Sequence, residues 1–269
     1  RLSLVGSEMC IRDRGTGNDF VMVDQREKKY IHKKDTSLIN KICDRRFGIG
    51  ADGLILLENY KGYDFRMVYF NADGRESSMC GNGGRCIVAF ANHLGIVKSK
   101  CHFLAIDGPH EALIKKDNWI ELKMSDVKDI EIGEDYFLMN TGSPHYVVFV
   151  EDIDDINVFE NGRAIRYSSR FKKEGVNVNF VERTKDNIIV TTYERGVEDE
   201  TLSCGTGVTA AAIANFLKNP NRRKKQNTPI KSKGGNLAVR FELNREKEAS
   251  NIWLCGKAER VFNGKWLTD

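Results

Sequence analysis

Short apolar runs bounded by Gly, Asp and Asn recur along the chain, and they predict a protein built mainly of β-strands. The runs are rich in Val, Ile, Phe and Tyr, the residues that fit a half-buried pleated surface. A turn at Lys116–Asn118 separates two runs and indicates a hairpin. We predict strands over Phe20–Asp24, Leu54–Glu58, Phe65–Phe70, His102–Ile106, Glu111–Ile114, Trp119–Met124, Tyr146–Val150, Ile188–Tyr193, Leu237–Leu243 and Ile252–Cys255.

Two segments break this pattern because they are apolar on nearly every side. Asn82–Leu94 and Gly205–Leu217 have helical composition with no continuous polar face, which is typical of a buried helix. Gly95 can end the first helix, and Asn219 with Pro220 can end the second.

The two helices share the sequence that precedes them. Each follows an acidic residue, three further residues and then Cys-Gly-polar-Gly, at Cys80 and again at Cys204, nearly half the chain apart. Such a repeat predicts an α+β fold of two pseudo-symmetric domains, each a β-barrel-like sheet wrapped around a central buried helix. The predicted domains are residues 1–123 plus 257–269, which hold Cys80, and residues 124–256, which hold Cys204.

The composition of the chain limits the kinds of partner that it could bind. The 269 residues carry 42 Lys and Arg against 38 Asp and Glu, and a net charge of +4 is too small to indicate nucleic-acid binding. The basic stretch Arg222–Lys225 has no interleaved aromatic residue and is typical of a solvated loop. The longest apolar run, Ala210–Leu217, is too short to span a bilayer. We therefore expect neither a nucleic-acid nor a membrane partner.

The seven cysteines form neither a disulfide framework nor a zinc site, since their number is odd and no CxxC pair occurs. Free thiols suit a reducing compartment, which predicts the cytoplasm. Cys43, Cys101 and Cys255 lack a neighbouring glycine-rich turn and are predicted to be structural. Cys86 lies within the first helix and is predicted to be part of the core.

Cys80 and Cys204 differ from the other cysteines because each stands where a helix begins. The unpaired amides and partial positive charge of a helix N-terminus favour a thiolate and should lower the thiol pKa. The same amides can hold a carboxylate. Two such helices around one small carboxylate ligand would let one thiolate remove a proton while the other thiol delivers one to the opposite face.

These motifs, in this order, resemble those of the diaminopimelate epimerase family over nearly the whole chain, from Gly15 to about Trp266. The resemblance implies cofactor-independent epimerisation of LL-2,6-diaminopimelate to the meso form, in lysine and peptidoglycan-precursor synthesis, with no metal. It also implies a homodimer. The matching segments are Gly15–Phe20, Phe70–Gly74, Met79–Gly83, Gly175–Phe180, Tyr193–Gly196 and Cys204–Gly207.

The resemblance also implies roles for individual residues. Cys80 would be the proton donor and Cys204 the acceptor in the forward direction, with His145 and Glu194 tuning the cysteine pKa values. The residues implied to bind the α-carboxylate are Gly81, Asn82, Gly205 and Thr206. Those implied to bind the rest of the amino-acid substrate are Asn18, Asn71, Asn177, Glu194 and Arg195.

Three features depart from the family pattern. Ser143 stands where Asn is usual, and Gly53 stands where a Gln often contacts substrate. Residues 1–14 show neither the alternation nor the Lys of the family's first strand, so we expect that strand to be missing or imperfectly paired.

Other functions remain open from the sequence alone. A proline or hydroxyproline racemase of the same fold is one alternative, although those enzymes tend to have His where Asn82 stands. A thiol redox protein with a switchable Cys80–Cys204 disulfide is another. A non-catalytic amino-acid-binding protein is a third, but it would not need two thiols.

Overall fold

The computed structural model describes residues 10–219, 225–264 and 266, and the chain divides into two compact units. The first comprises residues 1–122 and 257–269, and the second comprises residues 123–256. The helices of the described residues are α1 (Thr36–Cys43), α2 (Gly81–His93), α3 (Val158–Arg166) and α4 (Gly205–Leu217). The strands are β1 (Cys10–Gly15), β2 (Asn18–Asp24), β3 (Gly53–Glu58), β4 (Phe65–Asn71), β5 (Glu76–Ser77), β6 (Lys100–Ala105), β7 (Gly108–Ile114), β8 (Trp119–Lys123), β9 (Glu131–Ile132), β10 (Tyr136–Asn140), β11 (Pro144–Val150), β12 (Asn177–Arg183), β13 (Ile188–Glu194), β14 (Asp199–Thr201), β15 (Lys225–Ser232), β16 (Gly235–Leu243), β17 (Ala249–Lys257) and β18 (Glu259–Gly264).

The first unit is one sheet in the order β18-β1-β2-β3-β4-β6-β7-β8. Neighbouring strands are antiparallel except for the parallel pairs β2–β3 and β4–β6. The short strand β5 pairs with the end of β4. Helix α1 connects β2 to β3, and helix α2 connects β5 to β6.

The second unit repeats this topology. Its order is β9-β10-β11-β12-β13-β15-β16-β17, with β14 paired to β13. The parallel pairs are β11–β12 and β13–β15. Strands β10–β17 therefore correspond to β1–β8, and α3 and α4 correspond to α1 and α2. The internal repeat seen around the two cysteines extends over every element of the unit.

Each sheet wraps around its buried helix. Helix α2 contacts β1, β2, β3, β7 and β18, and helix α4 contacts β10, β11, β12, β13, β15 and β16. Along α2, Cys86, Ile87 and Val88 are fully buried, and in α4 every residue from Val208 to Ala214 is fully buried. Burial on all sides explains why neither helix shows a polar stripe in the sequence.

The predicted elements agree with the structure to within a few residues. Helix α4 has the predicted bounds, and α2 begins and ends one residue earlier than predicted. Gly95 follows the end of α2 with φ of 74°, and its amide donates to the Asn92 carbonyl, as a helix-ending glycine does. A 3-10 turn at Lys116–Asn118 leads into β8 after β7, and β7 and β8 are antiparallel.

Two helices were not predicted. Helices α1 and α3 are short, and α3 buries only Val158 and Gly162. Their apolar residues are too few to produce a clear helical period, so each depends on the sheet beneath it for stability.

The first strand is present. Residues 10–15 form β1, which pairs with β2 on one side and with β18 on the other. The expectation that this strand would be missing is wrong, because backbone pairing needs no particular side chain at these positions. The expected irregularity is found in the register with β18, which shifts between Arg12 and Asp13. Residues 1–9, to which the same expectation applied, lie outside the described residues, as does the stretch 220–224.

Within the described ranges, no helix is long and apolar enough to cross a bilayer.

Candidate active site

Cys80 caps the N-terminus of α2. Its backbone is extended, with φ of −97° and ψ of 150°, and its sulfur accepts a hydrogen bond of 3.2 Å from the Gly83 amide. A Cβ at Gly83 would lie 3.2 Å from this sulfur and 3.1 Å from Cδ1 of Ile55. Glycine therefore keeps the space beside the half-buried thiol open, at the end of the helix where the dipole is positive.

Asn82, two residues after Cys80, belongs to a network of hydrogen bonds. Its Oδ1 accepts from Nη2 of the fully buried Arg85 at 2.8 Å, and its Nδ2 donates to Oδ1 of Asn18 at 2.6 Å. Asn18 in turn donates through Nδ2 to Asp52 at 2.8 Å. The orientation of both amides is therefore set by groups that can only donate or only accept.

The turn between β1 and β2 brings one more side chain into this network. Thr16 and Gly17 both have positive φ, 48° and 102°, as a two-residue hairpin turn requires. The Thr16 hydroxyl donates to Asn82 and accepts from Arg85. The second unit has an equivalent turn, in which the Thr141 hydroxyl donates to the Thr206 carbonyl at 2.9 Å.

Asn71 lies outside the hydrogen bonds that link Asn18 and Asn82. It is exposed at the end of β4, where its carbonyl accepts from the Gly74 amide in a tight turn. Opposite it on β3, a Cβ at Gly53 would lie 2.4 Å from the Phe70 carbonyl oxygen and 2.6 Å from the ring of Tyr69. A side chain at position 53 therefore has no room.

Cys204 occupies the corresponding place before α4. Its sulfur lies 3.4 Å from the Thr206 hydroxyl, which lies 2.8 Å from Nε2 of His145. Nδ1 of His145 faces Nδ2 of Asn179 at 3.0 Å. Three predicted residues, Cys204, Thr206 and His145, are therefore connected by hydrogen bonds, together with Asn179, which the sequence analysis did not single out.

The pKa of the Cys204 thiol lies well above its ordinary value. Burial and the nearby Glu194 carboxylate raise this pKa to about 12. Hydrogen bonds from the Thr206 hydroxyl and from the amides of Gly207 and Thr206 act in the opposite direction, but their effect is smaller. The prediction of a lowered pKa is wrong for this thiol, because the loss of water outweighs the helix N-terminus. Burial also raises the pKa of Glu194, whose Oε2 accepts from Thr201 at 3.0 Å.

Asn177, Arg195 and Ser143 form the polar edge of this half. Asn177 donates through Nδ2 to Ser143 Oγ at 2.9 Å, and its Oδ1 accepts from the Arg195 amide at 2.9 Å. The exposed Arg195 guanidinium donates to the Glu174 carbonyl at 2.9 Å and to Ser143 Oγ at 3.4 Å. Ser143 thus bridges two of the predicted substrate-binding residues through its hydroxyl.

Sequence reasoning missed Thr16, Arg85 and Asn179. A charged residue in an otherwise apolar helix and a polar residue within a buried strand were the available signals. Their partners are distant in sequence, so only the fold reveals what they hold.

The predicted structural cysteines are buried. Cys43, Cys86, Cys101 and Cys255 all lie in the core, and burial raises the pKa of Cys43 to about 12. In the part of the chain that the structure describes, no group of His, Cys, Asp and Glu side chains is arranged to hold a metal ion.

Comparison with known proteins identifies the family. The model of the family described as "Diaminopimelate epimerase" matches residues 10–129 and 137–261. The diaminopimelate epimerase of Flavobacterium psychrophilum is 51% identical over 251 residues, which are 93% of this chain and 96% of that one. That of Aquifex aeolicus is 40% identical over 271 residues, 94% and 95% of the two chains. The match begins at residue 10, so the expectation that family-like sequence starts only at Gly15 is wrong.

Solved structures share the fold at low identity. A phenazine biosynthesis protein of the PhzF family from Bacillus anthracis superposes with a TM-score of 0.76 at 13% identity, covering 98% of this chain and all of that one. A probable proline racemase from Agrobacterium radiobacter has a TM-score of 0.66 at 15% identity, covering 98% and 94%. These likenesses concern the fold alone. With the family match, they confirm the predicted α+β fold of two similar domains.

Proposed function

Because this chain belongs to the diaminopimelate epimerase family, we propose that it is an isomerase that interconverts LL- and meso-2,6-diaminopimelate in lysine biosynthesis. The observation that carries the proposal is the repeated Cys-Gly-polar-Gly turn. Each unit presents one thiol at the N-terminus of a buried helix, and a two-base inversion needs one thiol for each face of the α-carbon.

We assign the forward reaction to Cys204 as proton acceptor and Cys80 as donor. The Cys204 thiolate takes the α-hydrogen as a proton, and the electron pair of the broken C–H bond remains on the α-carbon and its carboxylate. The Cys80 thiol then gives its proton to the opposite face, which forms the new C–H bond and leaves a Cys80 thiolate. The charge on the protein has moved from one sulfur to the other, and the reverse reaction restores it.

First-turn residues of the two helices would stabilise the charge that develops on the α-carboxylate. Backbone amides at a helix N-terminus are preorganised donors, and they need no rearrangement as the proton leaves. We assign this role to Gly81 and Asn82 in α2 and to Gly205 and Thr206 in α4. The hydrogen bonds that hold Asn82 and Thr206 support the assignment, because they keep both first turns in one conformation.

The remaining polar residues would bind the rest of the substrate. A second amino-acid group carries one ammonium and one carboxylate, for which amides supply both donors and acceptors and a guanidinium supplies a rigid pair of donors. We assign this role to Asn18, Asn71, Asn177, Glu194 and Arg195. His145 and Glu194 are assigned to tuning the pKa of the two cysteines, and the effect of the Glu194 carboxylate, which raises the pKa of Cys204, supports this assignment.

We also infer a homodimer in the cytoplasm. Free thiols suit a reducing compartment, and six of the cysteines are free: Cys43, Cys80, Cys86, Cys101, Cys204 and Cys255. The dimer rests on the family resemblance, and sedimentation equilibrium of the purified chain measures it directly.

The test of the two-base assignment is solvent deuterium incorporation at the α-carbon of diaminopimelate under reducing conditions. Cys80→Ala and Cys204→Ala should each abolish inversion, because each removes the partner for one face. At most, each variant retains exchange of the one stereoisomer whose α-hydrogen faces the remaining thiol.

Cys101→Ala is the matched control, since this thiol is equally free but lies in the core of the first unit. It should epimerise at close to the wild-type rate. A Cys80→Ala or Cys204→Ala variant that inverts the substrate at a near-normal rate would show that the assignment is wrong.

A further inference from the structure

The residues beneath the first turns of α2 and α4 differ in chemistry between the two units. Under α2, strands β2 and β3 place Phe20 and Ile55, and a Cβ at Gly83 would approach both. In the second unit the corresponding positions on β11 and β12 hold His145 and Asn179, both fully buried. The fold therefore tolerates an apolar pair here. A buried polar pair costs free energy unless it is hydrogen-bonded, which indicates a purpose beyond folding.

The orientation of the Asn179 amide follows from its partners. Its Nδ2 donates to the Tyr146 carbonyl at 3.2 Å, and a carbonyl can only accept. Its Oδ1 accepts from the Thr192 hydroxyl at 2.9 Å. The second hydrogen of Nδ2 therefore points at Nδ1 of His145, 3.0 Å away.

This orientation decides which nitrogen of His145 carries the hydrogen. Nδ1 faces a donor, so it must be the unprotonated nitrogen, and the hydrogen of the neutral ring lies on Nε2. Burial keeps the ring neutral, lowering the pKa of His145 to about 3. The Nε2 hydrogen is thus donated to the Thr206 hydroxyl oxygen at 2.8 Å. Asn177 Nδ2 lies 3.5 Å from Nε2, but its two hydrogens are donated to Ser143 Oγ and to the Pro144 carbonyl at shorter distances.

The Thr206 hydroxyl can then direct its own hydrogen to sulfur. Its oxygen accepts from His145, which leaves the hydroxyl hydrogen for Cys204 Sγ, 3.4 Å away. A thiolate is a better acceptor than a thiol, so a donated hydrogen stabilises the form of Cys204 that removes a proton.

We propose that Asn179 is a positioning residue for Cys204: by fixing the His145 tautomer it turns the Thr206 hydroxyl hydrogen toward the sulfur and so supports proton abstraction by Cys204. The inference rests on the proposed function, in which Cys204 is a catalytic base. Asn179 itself touches neither the sulfur nor, in the assignment above, the substrate.

The sharpest variant is Asn179→Asp, because an ionised carboxylate of the same shape can only accept a hydrogen bond. It should draw the His145 hydrogen to Nδ1, so that Nε2 accepts a hydrogen bond from the Thr206 hydroxyl. The Thr206 hydroxyl hydrogen would then no longer point to the Cys204 sulfur. The nitrogen NMR signals of histidine-labelled protein distinguish protonated from unprotonated ring nitrogens. The chain has five histidines, and His145 is assigned by comparison with His145→Gln.

In the wild type, Nε2 should be protonated and Nδ1 unprotonated, with no titration between pH 6 and pH 9. In Asn179→Asp the two should exchange. A wild-type ring with its hydrogen on Nδ1, or an unchanged tautomer in the variant, overturns the proposal without any activity measurement.

Kinetics test the consequence for Cys204. In the direction in which Cys204 accepts the proton, Asn179→Asp should lower kcat by ~10-fold or more with little change in KM, and should shift the rise of kcat with pH to higher pH. Thr206→Val should do the same, and Thr206→Ser, which keeps the hydroxyl, should lose less of kcat than Thr206→Val. The double variant Asn179→Asp/Thr206→Val should be no slower than the worse single variant, because both break one chain of hydrogen bonds.

Asn161→Asp is the matched control, since it makes the same change at an exposed position of α3. Its kcat and His145 tautomer should match the wild type. If Asn179→Asp fails to fold, the pair His145→Phe/Asn179→Ile copies Phe20 and Ile55 of the first unit and should fold while losing kcat in the same way. Wild-type kcat in that pair would overturn the proposal.

The proposed function and this inference fail separately. If the wild type does not epimerise diaminopimelate, the proposed function is wrong. The NMR measurement of the His145 tautomer in the wild type and in Asn179→Asp still shows whether Asn179 fixes that tautomer.

Discussion

At the scale of single residues, the two units use different chemistry to hold the polar residue in the first turn of their buried helix. In the first unit, a permanently charged guanidinium, that of Arg85, holds Asn82, two residues after Cys80. In the second unit, a neutral imidazole, that of His145, holds Thr206, the corresponding residue. Arg85 and His145 are both fully buried, so each has a free-energy cost that its hydrogen bonds must offset.

The neutral state of His145 predicts how stability depends on pH. Its pKa falls from an ordinary value of 6.5 to about 3 in the folded chain, so the unfolded chain binds the extra proton. Above pH 6.5 the ring is neutral in both states, so His145 does not lower the free energy of unfolding. As the pH falls from 6.5 toward 3, protonation of His145 in the unfolded chain should lower this free energy.

Urea unfolding at a series of pH values measures this slope, at most ~1.4 kcal/mol for each pH unit from one group. His145→Gln cannot take up the proton and should show a shallower decline over the same range. Equal slopes for the two proteins would mean that His145 is protonated in the native state.

At the scale of the element, the glycines that open α2 and α4 are set by what lies under each helix. A Cβ at Gly207 would lie 2.4 Å from Asn179 Oδ1 and 3.1 Å from Thr192 Oγ1, both held in hydrogen bonds. A Cβ at Gly84 would lie 2.8 Å from the ends of Leu122 and Met79, which are flexible side chains. The same substitution should therefore have different costs at the two positions.

Gly207→Ala should destabilise the chain by ~1–3 kcal/mol, although Gly to Ala in a helix ordinarily stabilises it. It should also lower kcat, because Asn179 must move. Gly84→Ala should cost less, since the long side chains can adopt other rotamers. Chemical denaturation of both variants compares the costs, and a Gly207→Ala protein more stable than wild type would contradict the packing argument.

At the scale of the whole molecule, each unit is a sheet that needs all its strands to cover its helix. In the first unit, β1 joins β2 to β18 and contacts α2. A Cβ at Gly15 would lie 2.9 Å from both the Asn82 carbonyl oxygen and Cys86 Sγ, which shows how closely the strand approaches the helix. Without β1, two strand edges and one side of α2 would be exposed.

We therefore expect a chain that begins at residue 15 to be less stable than one that begins at residue 10. The thermal midpoint should fall by ~5 °C or more, and soluble yield should fall with it. Differential scanning calorimetry of the two truncated chains makes the comparison, in which only β1 differs. Equal midpoints would mean that β1 contributes little to the first unit.

The sequence by itself indicated the two buried helices, many of the strands and the two candidate catalytic cysteines. Helices α2 and α4 were predictable because a segment that is apolar on all sides is stable only when it is buried. Cys80 and Cys204 were recognisable because the glycine-containing sequence around them occurs twice. Most strands followed from local residue preference. Short helices such as α1 did not, because eight residues give too weak a period to outweigh neighbouring strands.

Only the tertiary structure decided how the thiols are supported. Asn179 and His145 lie on adjacent parallel strands, and Arg85 is hydrogen-bonded to Thr16, which is 69 positions away in the sequence. No local sequence pattern predicts either contact. The pKa of Cys204 likewise depends on burial and on Glu194, which outweigh the helix N-terminus that the sequence shows. Local sequence determines which groups are present, but long-range packing determines which of them lose water and which hydrogen bonds they make, because both depend on neighbours far away in the chain.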